Sequence, residues 1–204
     1  MKILKCKATL IEEMLGTCSA DPEIHKEYIA SLAPDAPSKE EEVAALGVSE
    51  MVEKSMTVFP RLNDKPDGQP FIWDYQIKGT LKEATKALAR VGGTAASGTK
   101  AYLKIINDLV FPAPRKIPIN YEGAEKGIVG NTQRPLRGQT AQGERIALAN
   151  SQTVPAGATF DFEITLLEEK YEKLVREALD YTKFKGFLQW RNSGKGRVKI
   201  EILE

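Results

Sequence analysis

The chain reads as an α+β domain built on a split strand–helix–strand unit, and three observations point there. Residues 2–12 alternate apolar and polar side chains, the pattern of a half-buried strand. Residues 158–203 run strand, helix, glycine-rich loop, strand. Between these ends, Ile77, Leu81, Ala84, Leu88 and Val91 recur every three or four residues, the period of an amphipathic helix. A length of 204 residues suits one well-buried domain, 1–204, carrying a sizeable insertion.

Taken in order, strand 2–12 is followed by Asp21-Pro22-Glu23, where Asp caps a helix, Pro takes its first position and Glu its first turn. Ile24, Tyr28, Ile29 and Leu32 give that helix an apolar face. Pro34-Asp35-Ala36-Pro37 breaks it, and Ser38-Lys39-Glu40-Glu41 opens another. Residues 21–53 form an acidic helical insertion on this reading. Met56–Phe59 is a short strand, and Asp64 and Asp67 are turn formers around Pro66-Gly68. A helix over 76–91 follows, with Asp74 placed to cap it and Gly92-Gly93 to end it. Tyr102, Leu103, Ile106 and Leu109 mark the next helix.

Residues 111–157, rich in proline and glycine, read as irregular hairpins and loops. Strand 158–167, helix 168–182, the loop from Gly186 to Gly196 and strand 197–203 complete the chain. Strands 2–12 and 56–62 with helix 76–91 supply the other half of the split unit. The expected architecture is α+β, ferredoxin-like (RRM-like), a βαβ core with an acidic helical insertion and long hairpin loops.

Residue counts close off much chemistry. His25 is the single histidine, so paired-histidine catalysis and histidine metal cages are out, and its place on an acidic helix reads as surface. Cys6 and Cys18 cannot build a disulfide framework or a zinc site. No phosphate loop, nucleophile elbow or dinucleotide fingerprint is present. No apolar run is long enough to cross a bilayer, and the first residues read as strand rather than secretory signal. The expectation is a cytoplasmic protein with no membrane partner, no metal and no cofactor.

The net charge of +1 conceals segregation. Residues 11–53 hold 11 acidic and 2 basic side chains, leaving 27 basic and 17 acidic elsewhere. Lys183 to Lys199 holds six basic side chains and no acidic one. Such a swing suggests a basic binding surface with an acidic attachment.

Three stretches together resemble the RAMP superfamily, the RNA-binding proteins of CRISPR effector complexes, and most of all its backbone subunits. Gly68-Gln69-Pro70-Phe71-Ile72-Trp73-Asp74-Tyr75-Gln76-Ile77-Lys78-Gly79-Thr80-Leu81-Lys82 is similar to the family's "GxPyIPGSSLKGxLR", with Trp73, Asp74 and Tyr75 standing where the family has Pro, Gly and Ser. Gln152 to Glu163 is similar to the "VPAGtxFxfei" that leads into a late strand. Gly186 to Val198 resembles the glycine-rich "GgxxsrGfGrv". Order and spacing agree over residues 56–204 and the first strand.

The resemblance implies a non-catalytic binder of single-stranded RNA working with other effector subunits or with copies of itself. Backbone subunits that cut RNA carry a carboxylate near the place of Ser55-Met56-Thr57, which holds none. A second reading makes the chain a phage- or mobile-element-encoded anti-defence protein. It would bind an effector complex, using the acidic 21–53 segment for a protein partner, or sequester a nucleotide signal.

The residues suggest where RNA would lie. A glycine-rich turn holding Gly194 and Gly196 exposes backbone N–H groups to phosphate, and Arg191, Lys195 and Arg197 add charge. Trp190 offers a stacking surface for a base, or else belongs to the core, with the glycines serving tight backbone turns. Lys78 and Lys82 lie one helical turn apart near a helix start, either an anion site or a solvated face. Arg134, Arg137 and Arg145 lie in a polar hairpin, Gln133 to Glu144, that closes over RNA or is plain surface loop.

Overall fold

The computed structural model describes residues 1–20, 56–140 and 143–203, with the backbone alone for 136–140 and 143–148. The expected acidic helices of 21–53, and His25 with them, lie outside the described residues. The chain divides into two compact units: Met1–Met14, Phe71–Tyr121 and Pro155–Glu204 in the first, Leu15–Pro70 and Glu122–Val154 in the second.

The first unit holds a four-stranded antiparallel sheet. Its longest strand is β1 (Lys2–Leu10), and alternation there buries Leu4, Cys6, Ala8 and Leu10 while Ile3, Lys5 and Lys7 stay exposed. Further strands of the chain are β2 (Met14–Leu15), β3 (Cys18–Ser19), β4 (Met56–Val58) and β5 (Phe71–Trp73). Helix α1 (Asp74–Leu88) buries Ile77, Leu81 and Ala84; α2 is the single turn Ala95–Gly98, and α3 is Tyr102–Leu109. Then come β6 (Val110–Ala113), β7 (Lys116–Pro118), β8 (Gly130–Thr140), β9 (Gly143–Val154) and β10 (Thr159–Leu166). Helix α4 (Glu172–Asp180), the turn α5 (Thr182–Lys185) and β11 (Val198–Leu203) end it.

The sheet order is β11-β1-β10-β6. Two strand–helix–strand crossovers interleave to make it: β1–α1–β6 leaves room for β10, and β10–α4–β11 leaves room for β1. Both helices bury apolar side chains, those of α4 being Leu174, Val175, Ala178 and Leu179, and α1 packs on α4. Phe160, Phe162, Ile164 and Leu166 of β10 are at most 2% exposed, each contributing roughly 1.5–3 kcal/mol by leaving water. β5 and β7 pair as a separate two-stranded ribbon.

Two expectations change here. The strand that completes the first crossover is Val110–Ala113, paired with β10, and not 56–62. Met56–Val58 belongs to the second unit, parallel to β9 and antiparallel to β3. The region expected to be irregular, 111–157, contains the 11-residue β8 and the 12-residue β9 in unbroken antiparallel register from Gly130↔Thr153 to Thr140↔Gly143. Arg61 ties the second unit together from a buried position. Its guanidinium donates to Gly68 O at 3.2 Å, Gly127 O at 2.9 Å and Gln152 Oε1 at 3.1 Å.

Candidate nucleic-acid interface

The glycine-rich loop is wound by left-handed backbone. Gly186, Leu188, Trp190, Gly194 and Gly196 all have positive φ. Glycine is required at 186 and 196 because two backbone segments touch: a Cβ on Gly196 would sit 2.3 Å from Phe187 O, and one on Gly186 2.3 Å from Gly196 C. Phe187 N–H donates to Gly196 O at 2.8 Å and closes the neck. Leu188 and Trp190 adopt the same region with side chains, a costlier conformation that marks strained, shape-determined sites.

The N–H groups expected to cradle phosphate are used internally at the glycines. Gly196 N–H donates to Glu13 O at 2.8 Å, and Gly194 N–H to Arg191 O at 3.0 Å. The loop's cations are paired as well. Lys195 Nζ lies 2.7 Å from Glu13 Oε1. Arg191 is held by Glu83 of α1, whose other carboxylate oxygen lies 2.8 Å from Lys185 Nζ. Arg197 Nε donates to Phe184 O at 3.2 Å. Burial works to raise the Glu83 carboxyl, but hydrogen bonds and charge from Lys185 and Arg191 outweigh it and hold the group below its ordinary value. Trp190 is half-buried, which separates it from the fully buried Trp73.

Helix α1 begins two residues before the expected start, so Lys78 and Lys82 stand on its second and third turns. Its N-terminus is already served. Trp73 N–H donates to Gln76 Oε1 at 2.9 Å, Asp74 N–H to Arg115 O at 3.0 Å, and Tyr75 N–H to Asp74 Oδ1 at 2.7 Å. Asp74, expected as the cap, is instead the first helical residue, with burial raising its pKa. Three of the donors at this helix start are therefore used within the chain. Lys78 rests its ammonium 4.9 Å from the Phe111 ring centroid, and Lys82 is half-buried beside Glu83.

In the second unit, the hairpin fixes its arginines by register: Arg134 opposite Ala149, Arg137 opposite Ile146, Arg145 opposite Gly138. Desolvation lowers the pKa of Arg134. The side chains of Arg137 and Arg145 lie outside the described set.

Several residues escaped the sequence reading. Glu13 and Glu83 anchor the loop from positions far away in the chain. Arg115 and Lys116 lie over the aromatic rings of β5, Arg115 at 5.9 Å from Trp73, Lys116 at 5.5 Å from Phe71 and 5.6 Å from Trp73. The only advance signal was the adjacent basic pair in a proline-flanked stretch. Among the described residues, no cluster of three or more His, Cys, Asp or Glu side chains could hold a metal ion, and no helix is long and apolar enough to cross a membrane.

No protein-family model matches the chain, and no curated protein matches it in sequence. Its fold does have counterparts among solved structures. A chain of the type III-B Cmr-beta complex bound to cognate target RNA matches 99% of this chain, with 13% identity and a TM-score of 0.50. That match covers 60% of the Cmr-beta chain, so the present chain spans less than two thirds of its length. A chain of a type IV-B CRISPR complex matches 99% of this chain over 90% of its own length, with 11% identity and a TM-score of 0.52. The resemblance carried by the three motifs thus has a structural counterpart: the chain is similar in fold to subunits of CRISPR complexes.

Proposed function

We propose that the chain is a non-catalytic, single-stranded-RNA-binding subunit of a CRISPR effector complex, of the RAMP backbone type, on a ferredoxin-like core. The observation that carries this reading is where the three motifs fall on the frame. Gly68–Lys82 runs through β5 into α1, Gln152–Glu163 leads from β9 into β10, and Gly186–Val198 is the loop that feeds β11. Each stands at a joint of the β1–α1–β6 and β10–α4–β11 crossovers, and the sheet order β11-β1-β10-β6 supports the ferredoxin-like reading.

With Arg191 and Lys195 paired internally and shaping the loop, the loop's contribution to RNA is the half-buried Trp190. The arginines of the long hairpin supply phosphate contacts. Met56 and Thr57 stand where a cutting subunit would carry its carboxylate, and the Thr57 hydroxyl is engaged with Ser151 Oγ at 2.7 Å. Bound RNA should therefore survive incubation with magnesium or manganese.

Partners on this reading are single-stranded RNA and other subunits of a complex. The test is to purify the chain, extract it and ask whether RNA is released, then titrate nuclease-cleared protein with labelled single-stranded RNA. Released RNA and saturable binding support the reading. A chain that carries no nucleic acid and binds none would remove it.

A further inference from the structure

Among the described residues of the first unit, three lysines lie over rings that stay partly in water, and they differ in what else holds them. Lys170 sits over Tyr171 at 4.9 Å and Lys183 over Phe184 at 5.1 Å, each beside its own ring in the chain. Both are bound to carboxylates as well: Lys170 to Glu168, and Lys183 to the two oxygens of Asp180 at 2.7 and 2.8 Å. Lys78 is different. It reaches from α1 to Phe111 of β6, 4.9 Å from the ring centroid, and among the described residues its ammonium has no hydrogen bond and no ion pair.

The strand alternation that buries Val110 turns Phe111 outward, opposite Thr165 of β10. The ring stays 42% exposed with the ammonium in place, so ring area is left for a second occupant. Pro114 and Arg115 then carry the chain into β7. Arg115 is exposed, its carbonyl accepts Asp74 N–H at 3.0 Å, and its guanidinium lies 5.9 Å from the Trp73 ring. The Asp74 carboxyl feels the charge of both Arg115 and Lys78. Two cations thus stand around one carboxylate, with an exposed aromatic ring adjoining them. Around Phe184 the cations are matched one for one, Lys183 by Asp180 and Arg176 by Glu172.

We propose that Phe111, Lys78 and Arg115 form a nucleotide-binding patch of the first unit, in which a base of single-stranded RNA stacks on Phe111 and the neighbouring phosphates meet Lys78 and Arg115. The patch rests on the RNA-binding reading above and adds to it a stacking residue that none of the three motifs carries. A phenyl ring accepts any base, since every base has a π face, while the cations meet the backbone charge. Lys78 is the lysine suited to this exchange. It gives up only an exposed contact with a ring, whereas Lys170 and Lys183 would first have to leave a carboxylate.

Ultraviolet crosslinking of the nuclease-cleared full chain to labelled single-stranded RNA tests this. Digestion and mass spectrometry should find a nucleotide adduct on the peptide that holds Phe111. The adduct is read on the unaltered chain and so does not depend on how a variant folds. In anisotropy titrations Phe111→Ala should weaken RNA about fivefold or more, and Phe111→Tyr should retain affinity. Phe111→Ala should leave the salt slope unchanged, because no charge is lost. Lys78→Ala combined with Arg115→Ala should lower that slope by about 1.4, roughly 0.7 for each of two phosphates. A chain that binds no RNA overturns the patch together with the reading it rests on. RNA binding with adducts elsewhere, and with affinity unmoved by Phe111→Ala, overturns the patch alone.

Discussion

The glycine-rich loop and the long hairpin are two basic regions of the sequence set on different backbones, a turn wound by positive φ and an antiparallel ribbon. In the loop, Arg191, Lys195 and Arg197 are each engaged with a group of the same unit: Glu83, Glu13 and the Phe184 carbonyl. In the hairpin, Arg134, Arg137 and Arg145 are spaced along a ribbon whose strands are 11 and 12 residues long. The loop teaches that local charge density does not reveal when a cation is spent on anchoring its own loop. The deciding carboxylates lie more than a hundred residues away in the chain.

The largest effect expected is on the loop's neck. Gly196→Ala puts a methyl 2.3 Å from Phe187 O at φ +68°, and backbone must move to admit it. Urea unfolding should show a loss of about 3 kcal/mol or more. A loss under about 1 kcal/mol would mean that the neck is loose and the comparison is wrong at its rigid end.

Replacing Arg134, Arg137 and Arg145 together with Ala should weaken single-stranded RNA at least tenfold and reduce the salt slope by about two, roughly 0.7 for each phosphate no longer neutralised. The loop triple, Arg191, Lys195 and Arg197 to Ala, should weaken RNA less. It should lower stability by only about 1 kcal/mol, since its ion pairs are partly exposed. Reversed affinities would move the phosphate-binding role to the loop. Trp190→Ala should cost about 1–3 kcal/mol of binding if a base stacks there, read by anisotropy.

Much of the frame was legible in the sequence. β1, β10, β11 and α1 lie within three residues of their expected limits, because alternation and a three-to-four-residue period are local signals. Val110–Ala113 was not legible as a core strand: Pro112 and Pro114 make it look like a loop, and its place depends on pairing with β10. Met56–Val58 was seen as a strand, but nothing local says that it pairs with β9 rather than completing the main sheet. The hairpin's proline and glycines obscured a ladder that register alone maintains. At the site, the types and positions of the basic residues were legible, while Glu13 and Glu83 as their partners were not.

A smaller, pH-dependent effect sharpens the account of the loop. Glu83 titrates below its ordinary value of 4.5, so its pairs with Lys185 and Arg191 stabilise the fold fully above that pH. The contribution is lost as pH falls through the depressed folded value. Glu83→Gln should flatten this acid limb of the stability profile, measured by melting from pH 7 downward. An unchanged acid limb would show that Glu83 does not hold the loop. Smallest of all, burial pushes the Cys6 thiol up to about 12, so it should resist alkylation at neutral pH until the chain unfolds.

The central claim is that single-stranded RNA binds through phosphate contacts on a non-catalytic subunit. Anisotropy titrations of nuclease-cleared protein with labelled single-stranded RNA, repeated across a salt series, test it most directly. The account predicts saturable binding whose affinity falls steeply and linearly on a log–log plot, a shallower line for the hairpin triple, and RNA recovered intact. Binding that is absent, or that is indifferent to salt from low to physiological ionic strength, would contradict it.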